Sequence, residues 1–480
     1  MTEQVGIVTG VNKYRIVLDG LPTAKLQAII QNEDGIRAVI TNLYPDFVEA
    51  LSLDDGEVTP GQIFKLFKNE LTFTCGKNLL GRAVNPLGVP IDGKGSLEKE
   101  EMEEMPIDRK SYGIGWRRFI TEQLITGITA IDTLMPIAKG QRELILGDPR
   151  SGKSDFLKDL ILNQKESGMI CIYASIGKPL PELKNLIEIL TTNDAMEFTA
   201  IIAASSSDAS PLTFLTPHVA MTLAEYFQSY GKDVLVILDD LGVHARIYRE
   251  IALLGGRAPG RESYPGDMFY THAHLLERAG SFTKDAGGGS ITAVPVAEIN
   301  LDELTTLIPT NLMATTDGHL LFRSSLHREG IRPALDIPLS VSRVGPQTQI
   351  SIHAQIASRI RSSLALLVQL ETVRRFASEL PTTTQRLILQ GEQIREILKQ
   401  EIQTSIPINI QTILLALIFT SLFYEQSVDF VRINKEKIIQ AFLKNKKLSS
   451  FAQSLSKFKT DVEMINNLER LKPFIQGAIK

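Results

Sequence analysis

Residues Gly147–Ser154 read Gly-Asp-Pro-Arg-Ser-Gly-Lys-Ser, and they leave this chain few folds to choose from. The stretch fits G-x-x-x-x-G-K-[ST] at every fixed position. Its flanks agree with it. Glu143–Leu146 before it reads as a short buried strand. Asp155–Ser167 after it reads as a helix, with Phe156, Leu157, Leu160 and Ile161 on one face and Gly168 as its stop. Strand, glycine turn and helix aim successive backbone N–H groups and a helix N-terminus at phosphate oxygens. On this pattern Gly147, Asp148, Pro149, Arg150, Ser151 and Gly152 cradle the phosphates of a nucleotide. Lys153 reaches its β and γ phosphates, and the Ser154 hydroxyl binds Mg²⁺. The plain alternative is an ordinary strand-to-helix turn, and both flanks count against it.

At 480 residues the chain is too long for one core. Its 43% hydrophobic and 22% charged residues are those of an ordinary globular protein. A net charge of −4 leaves no footprint for wholesale nucleic-acid binding. Cys75 and Cys171 lie far apart without metal-ligand spacing, which predicts buried thiols in a reducing compartment. The N-terminus has neither a signal peptide nor an arginine-rich transit sequence. The longest apolar run, Ile413–Tyr424, is shorter than the ~20 residues a spanning helix needs and reads as a core helix. The protein is expected to stay on the side of the membrane where it is made.

Along the chain, Val5–Val8, Tyr14–Val17, Leu26–Ile30, Gly35–Ile40, Phe47–Leu51 and Gln62–Leu66 read as short strands separated by turns. Their spacing predicts a small β-barrel over residues 1–72. Its charges are in acidic excess, which argues against a groove that tracks RNA. A loop-rich stretch follows, with turns at 81–88 and 92–95 and an acidic run at 98–104 that reads as solvated. From Ile170 strands alternate with helices. Ile170–Ser175 and Ala200–Ala203 are strands and Pro217–Gln228 is a helix. Val234–Leu238 is a buried strand ending at Asp239-Asp240, the edge where a parallel sheet places ligand chemistry. Asp239 is the natural partner, through water, for the Mg²⁺ on Ser154. Helices are expected at Ala354–Glu379, Gln385–Gln403, Gln411–Tyr424 and Lys435–Phe442, and after Ser449. The basic residues around 435–447 read as a solvated helix face.

Several further stretches carry a resemblance. They are Gly140–Asp148, Asp239–Leu241, Pro259–Tyr270, Leu275–Ala279, Ile308–Asn311, Thr316–Gly318, Gly330–Ala334, Ser340–Gly345, Phe376–Leu380 and Leu398–Gln400. Together they resemble the nucleotide-binding, non-catalytic α subunit of F-type rotary ATP synthases, over nearly the whole chain. The resemblance implies a multidomain α/β architecture: the N-terminal β-barrel over 1–72, a RecA-like parallel-sheet domain over 73–350 and a C-terminal helical bundle over 351–480.

The resemblance also implies roles. The catalytic β subunits carry a glutamate, after the strand that follows the loop helix, that polarises the attacking water. The matching position here is Lys178. An ammonium accepts no hydrogen bond, so the chain is expected to bind ATP or ADP with Mg²⁺ and not to hydrolyse it. Lys178 itself is expected to touch a phosphate or stand in solvent. Arg343 matches the arginine that reaches into the neighbouring β subunit's site as a finger. Gln400 matches a glutamine near the adenine, with Ile402 where the family has a second polar side chain. Arg332 matches an arginine near the nucleotide, a structural ion pair being the alternative. Pro149 removes a backbone donor from the loop, and Arg150 adds a charge that compensates. Pro259–Asp267 matches the bearing around the γ shaft.

The implied partners are β-type catalytic subunits in an alternating hexamer, a γ-type shaft and a δ-type stalk subunit. The membrane is touched only indirectly, and no nucleic acid is expected. The implied location is the cytoplasmic, stromal or matrix face of an energy-transducing membrane, and the implied work is proton- or sodium-coupled ATP synthesis or hydrolysis. The barrel pattern begins by Val5, so the family's stalk-binding N-terminal extension is not matched. That keeps open a specialised F-type-like motor not devoted to ATP synthesis. A self-sufficient export-type hexamer is opposed by Lys178, and an RNA-translocating hexamer by the acidic barrel.

Overall fold

The computed structural model describes residues 5–54, 56–98, 102–300, 304–374, 381–424 and 426–479; side chains of 372–374 are not described. The middle of the acidic run at 98–104, the end of the helix expected to reach Glu379 and the matched stretch Phe376–Leu380 fall outside them. The described chain divides into two compact units. One holds residues 1–119, 140–146 and 165–317, the other 120–139, 147–164 and 318–480.

The first unit opens with a closed six-stranded barrel. Its strands are Val5–Asn12, Arg15–Gly20, Ile29–Asn32, Arg37–Leu43, Val48–Ser52 and Ile63–Lys68. The first strand is flanked by the second and the last, which closes the ring. Alternation fills the interior: Val8, Ile16, Leu18, Ile30, Ala38, Ile40, Ala50 and Phe64 point inward and are buried. Closure removes the exposed edges that strands this short otherwise present.

The rest of that unit is a parallel sheet with helices. Ser290–Glu298, Asp233–Asp239, Ile170–Lys178, Thr199–Ser205 and Ala83–Val84 lie side by side in that order, and Arg142 pairs in parallel with Ala293. The central strands are apolar along their length because both faces are covered. Helices Leu180–Thr192, Ser210–Ser229, Leu241–Leu254, Met268–Leu276 and Leu307–Thr315 connect or flank them. The helix expected at Pro217–Gln228 starts seven residues earlier, at Ser210. Pro211 occupies its first turn, the favoured place for proline, and Pro217 sits inside. Burial on nearly every face overrides the cost of that interior proline. Within the matched stretch Leu275–Ala279, Arg278 is buried, binds Glu225 through two bonds of 2.9 Å and reaches the carbonyl of Ile107. Its role is architectural.

The second unit holds the loop helix Lys153–Leu162, the paired strands Gly318–Phe322 and Val341–Ser342, and the C-terminal helices. These are Ser351–Arg374, Thr382–Leu398, Ile408–Leu417, Val428–Lys444, Lys446–Gln453 and Asp461–Ile479. The loop helix ends at Leu162, short of the expected Ser167. Asn163 and Gln164 turn their amides onto the carbonyls of Thr126 and Ile125, which ends the helical run before Gly168. Among the described residues no helix is long and apolar enough to cross a membrane.

Candidate functional site: a phosphate loop and a capped aspartate

The loop takes the shape its residues dictate. Gly147 closes the strand Glu143–Gly147, and a Cβ there would stand 2.5 Å from the carbonyl oxygen of Phe322, so only glycine fits. Asp148 accepts from the backbone N–H (3.2 Å) and hydroxyl (2.9 Å) of Ser324. Its carboxylate anchors the loop and leaves the phosphate-binding face to backbone donors. Pro149 and Arg150 are exposed, and Arg150 takes a left-handed φ of 58°. Ser151 is buried with a hydroxyl that has no hydrogen-bond partner among the described residues. Gly152, also left-handed, starts the helix. Lys153 is buried and folds back, its ammonium donating to the carbonyls of Gly147 (2.7 Å) and Asp148 (2.6 Å). Ser154 is exposed in the first helical turn.

A narrow cleft lies beside this helix, all within the second unit. Gly152, Phe156 and Ile128 line one side, and Arg332, Pro333 and Ala334 another. Gln400, Glu401 and Ile402 complete it, with His327 among its walls. The apolar and aromatic surfaces suit a flat base, and the loop and helix N-terminus suit its phosphates. Gln400 lines the cleft, but its amide is spent on the fold. Its oxygen accepts from the N–H and hydroxyl of Thr129, both at 3.0 Å. Its nitrogen donates to the carbonyls of Gly127 (2.8 Å) and Thr404 (2.9 Å). Arg332 is exposed, with Glu401 3.9 Å away, and its carbonyl accepts from the Gln400 N–H at 2.7 Å. Asp159 also lines the cleft; burial lifts its carboxyl to about 6, against the bond from the Gln403 N–H and with the help of Asp155. The motif reading passed over His327, Asp155 and Asp159. The loop helix's i, i+4 spacing placed the two aspartates together, and nothing local announced the histidine.

Asp239 lies in the first unit, at the end of its strand, with 2% of its surface exposed. Lys178 Nζ sits 3.0 Å from its Oδ1, and the Tyr173 hydroxyl donates to its Oδ2. The neighbouring Asp240 is committed to backbone, accepting from Val243 N (2.7 Å) and Glu298 N (2.9 Å). Burial alone would lower the Lys178 pKa. The carboxylate of Asp239, aided by Asp240 and Glu182, outweighs it and holds the ammonium above the ordinary lysine value. Lys178 therefore neither stands free in solvent nor is left for a phosphate alone: it is the counter-ion of Asp239.

Backbone geometry makes this pair. In a regular strand Tyr173 and Lys178 would face opposite sides. The strand bulges at Gly177, whose φ is 66°, and the register with Thr199–Ser205 slips there by one residue. Lys178 is brought to the side of Tyr173, facing Asp239, which pairs with Ser175 across the sheet.

Ser154 and Asp239 are the residues expected to hold Mg²⁺. One offers an exposed hydroxyl, the other a carboxylate already neutralised by an ammonium. No group of three or more His, Cys, Asp or Glu among the described residues could hold a metal.

Arg343 follows the strand Val341–Ser342, is exposed, and has no ion pair among the described residues. A buried structural salt bridge, the alternative to a finger, is not what it makes. The Pro259–Asp267 loop is largely exposed, with Asp267 tied to Tyr248 (2.8 Å) and Arg257 (3.2 Å).

Residues 127–342 match the model of the ATP synthase alpha/beta family, nucleotide-binding domain. Residues 349–472 match that of the ATP synthase alpha/beta chain, C-terminal domain. The ATP synthase subunit alpha of Aquifex aeolicus is 39% identical over 479 residues, covering 99% of this chain and 95% of that one. That of Caldanaerobacter subterraneus is 40% identical over 400 residues, covering 83% and 79%. That of Metamycoplasma arthritidis is 40% identical over 399 residues, covering 83% and 75%. The chain belongs to the ATP synthase alpha/beta family. Within it, the resemblance to the alpha subunits of F-type rotary ATP synthases is borne out along the full length.

Proposed function

We propose that this chain is an α-type subunit that binds ATP or ADP at a non-hydrolysing site and catalyses only in trans. The cleft between the loop helix, Arg332–Ala334 and Gln400–Ile402 takes the base, and the loop takes the phosphates. Lys178 carries the reading. At the position where hydrolysis needs an acceptor to orient water stands an ammonium bound to the adjacent carboxylate. Gln400 shapes the cleft through Thr129 and Gly127, leaving its edge and backbone to face the base.

Arg343 reaches a β-type neighbour's site, where a guanidinium stabilises charge on the transferring phosphoryl group. Its exposure, and the absence of an ion pair to it among the described residues, support this role. The subunit alternates with β-type subunits around a γ-type shaft, the Pro259–Asp267 loop forming part of the bearing, with a δ-type stalk subunit as a further partner. The assembly works peripherally on an energy-transducing membrane and couples proton movement to ATP synthesis or hydrolysis. Residues 1–72, 73–350 and 351–480 act as its barrel, nucleotide-binding and helical modules.

The test is hydrolysis by the purified chain and by the assembled complex. The chain alone is expected to be inactive. Arg343→Ala and Arg343→Lys are each expected to cut hydrolysis by the complex about 10³-fold or more, since lysine lacks the planar fork. Robust turnover by the chain alone, or near-normal turnover by the variants, would sink this reading.

A further inference from the structure

We propose that Asp159 reads the base: its free carboxylate oxygen accepts from the 6-amino group of adenine and so selects adenine over 6-oxopurine nucleotides. The inference rests on the cleft beside the loop helix being the base site. Every wall of that cleft belongs to the second unit. Its apolar surfaces hold a flat ring, but telling one purine from another takes a polar group at the ring's edge. Gln400 cannot serve. An amide has two donor hydrogens and two acceptor lone pairs, and Gln400 has all four engaged, by Thr129, Gly127 and Thr404. Arg332 and Glu401 are exposed, so water competes for them. Asp155 is bound by Lys158 at 3.2 Å.

Asp159 differs from all of these. It lines the cleft with 6% of its surface exposed. One oxygen accepts from the Gln403 N–H at 2.8 Å, and the other has no partner among the described residues. A buried carboxylate oxygen without a donor is costly, and a ligand that brings a donor removes that cost. The Gln403 bond also fixes the carboxylate's direction. Gln403 takes a left-handed φ of 59°, just after the residues that wall the cleft, and its N–H holds one oxygen so that the other is left for the base. His327 serves the other end of the cleft: its imidazole lies 3.1 Å from where a Cβ on Gly152 would stand, beside the phosphate loop. Burial lifts the Asp159 carboxyl to about 6, so above pH ~7 it is ionised and only accepts. A single free oxygen takes a single donor. The 6-amino group of adenine is one. Hypoxanthine and guanine carry an acceptor oxygen at that position, which the carboxylate repels, and the paired donors on guanine's other edge call for two oxygens side by side.

Displacement of a fluorescent ATP analogue from the purified full-length chain tests this above pH ~7. The competitors are ATP, ITP and purine riboside triphosphate, which has no 6-substituent. Wild type is expected to bind ATP about tenfold or more tightly than either of the others. Asp159→Asn keeps an oxygen for the Gln403 N–H and turns an amide NH₂ toward the base, so it is expected to bind ITP at least as tightly as ATP. A merely structural aspartate would weaken all three alike on substitution and leave their ratios unchanged. Equal wild-type affinities overturn the inference and leave the nucleotide site standing, and so does a wild-type preference that Asp159→Asn retains. Absence of binding by wild type overturns the inference together with the nucleotide reading. If Asp159→Asn fails to fold, Asp159→Ala decides in its place. It is expected to bind ATP and purine riboside triphosphate within about threefold of each other, and a persisting preference of about tenfold overturns the inference.

Discussion

An ammonium and a phenol on the two oxygens of one buried carboxylate make Asp239 a closed set, and removing its charge has a structural cost. Asp239→Asn leaves Lys178, only 23% exposed, without a counter-ion. Breaking a buried pair by one partner is worth about 3–5 kcal/mol, and the partial exposure of Lys178 brings the expected loss to about 2 kcal/mol. Urea unfolding of the variant against wild type reads it; a loss below ~0.5 kcal/mol would show the pair to be loose. Both residues were legible in the sequence, Asp239 by its strand-end position and Lys178 by its place at the end of the strand that follows the loop helix. Their pairing was not. A side-chain period of two sends Lys178 to the wrong face, and only the bulge reverses it. Gln400 shows the same limit: its position was legible, while the four bonds that spend its amide on Thr129, Gly127 and Thr404 depend on where distant segments meet.

Asp132 shows how a charged residue welds elements together. It is fully buried in the short π-helical turn Ala130–Leu134, accepting from the N–H and hydroxyl of Thr126 and the N–H of Gly127. Its last bond, at 2.9 Å, comes from the Gln411 amide in the helix Ile408–Leu417. Burial lifts its carboxyl to about 6, and these four donors offset only part of the shift. A carboxyl raised above its unfolded value favours the fold while protonated. This contribution is complete below pH ~4 and is lost as pH rises through ~6. Its size is about 3 kcal/mol. The carboxyls of Asp54 and Asp92, held down by Arg37 and Arg82 against their burial, act in the opposite sense on acidification. The expected outcome is therefore a difference. Between pH 4 and 7, wild type loses stability relative to Asp132→Asn, measured as denaturant midpoints across that window; parallel profiles would refute the assignment. Helix limits were less legible than helix existence for a related reason. Pro217 looks like a helix start by local preference, and tertiary burial of Ser210–Ser229 decides otherwise.

At the scale of the whole molecule, the modules differ in how far they stand alone. The barrel closes on its own core of Val8, Ile16, Leu18, Ile30, Ile40 and Phe64 and leaves no open edge. A fragment of residues 1–72 is expected to fold with strand-type circular dichroism and a cooperative, low-midpoint transition, since a domain this small is marginal. A non-cooperative melt would show that the barrel needs the rest of its unit. The order barrel, parallel sheet, helices was open to the sequence because each has its own period and its own punctuation. The loop was legible because phosphate binding by backbone demands glycines, a lysine and a hydroxyl at fixed spacing, whatever surrounds them. Position-bound features of this kind, the loop motif and the strand-end places of Asp239 and Lys178 among them, are what the sequence by itself determined. Tertiary structure alone decided what those residues touch: Lys153 on the loop carbonyls, Asp148 on Ser324, Lys178 on Asp239. The last two join residues far apart in the chain, and all three turn on backbone register and burial, which no local pattern encodes.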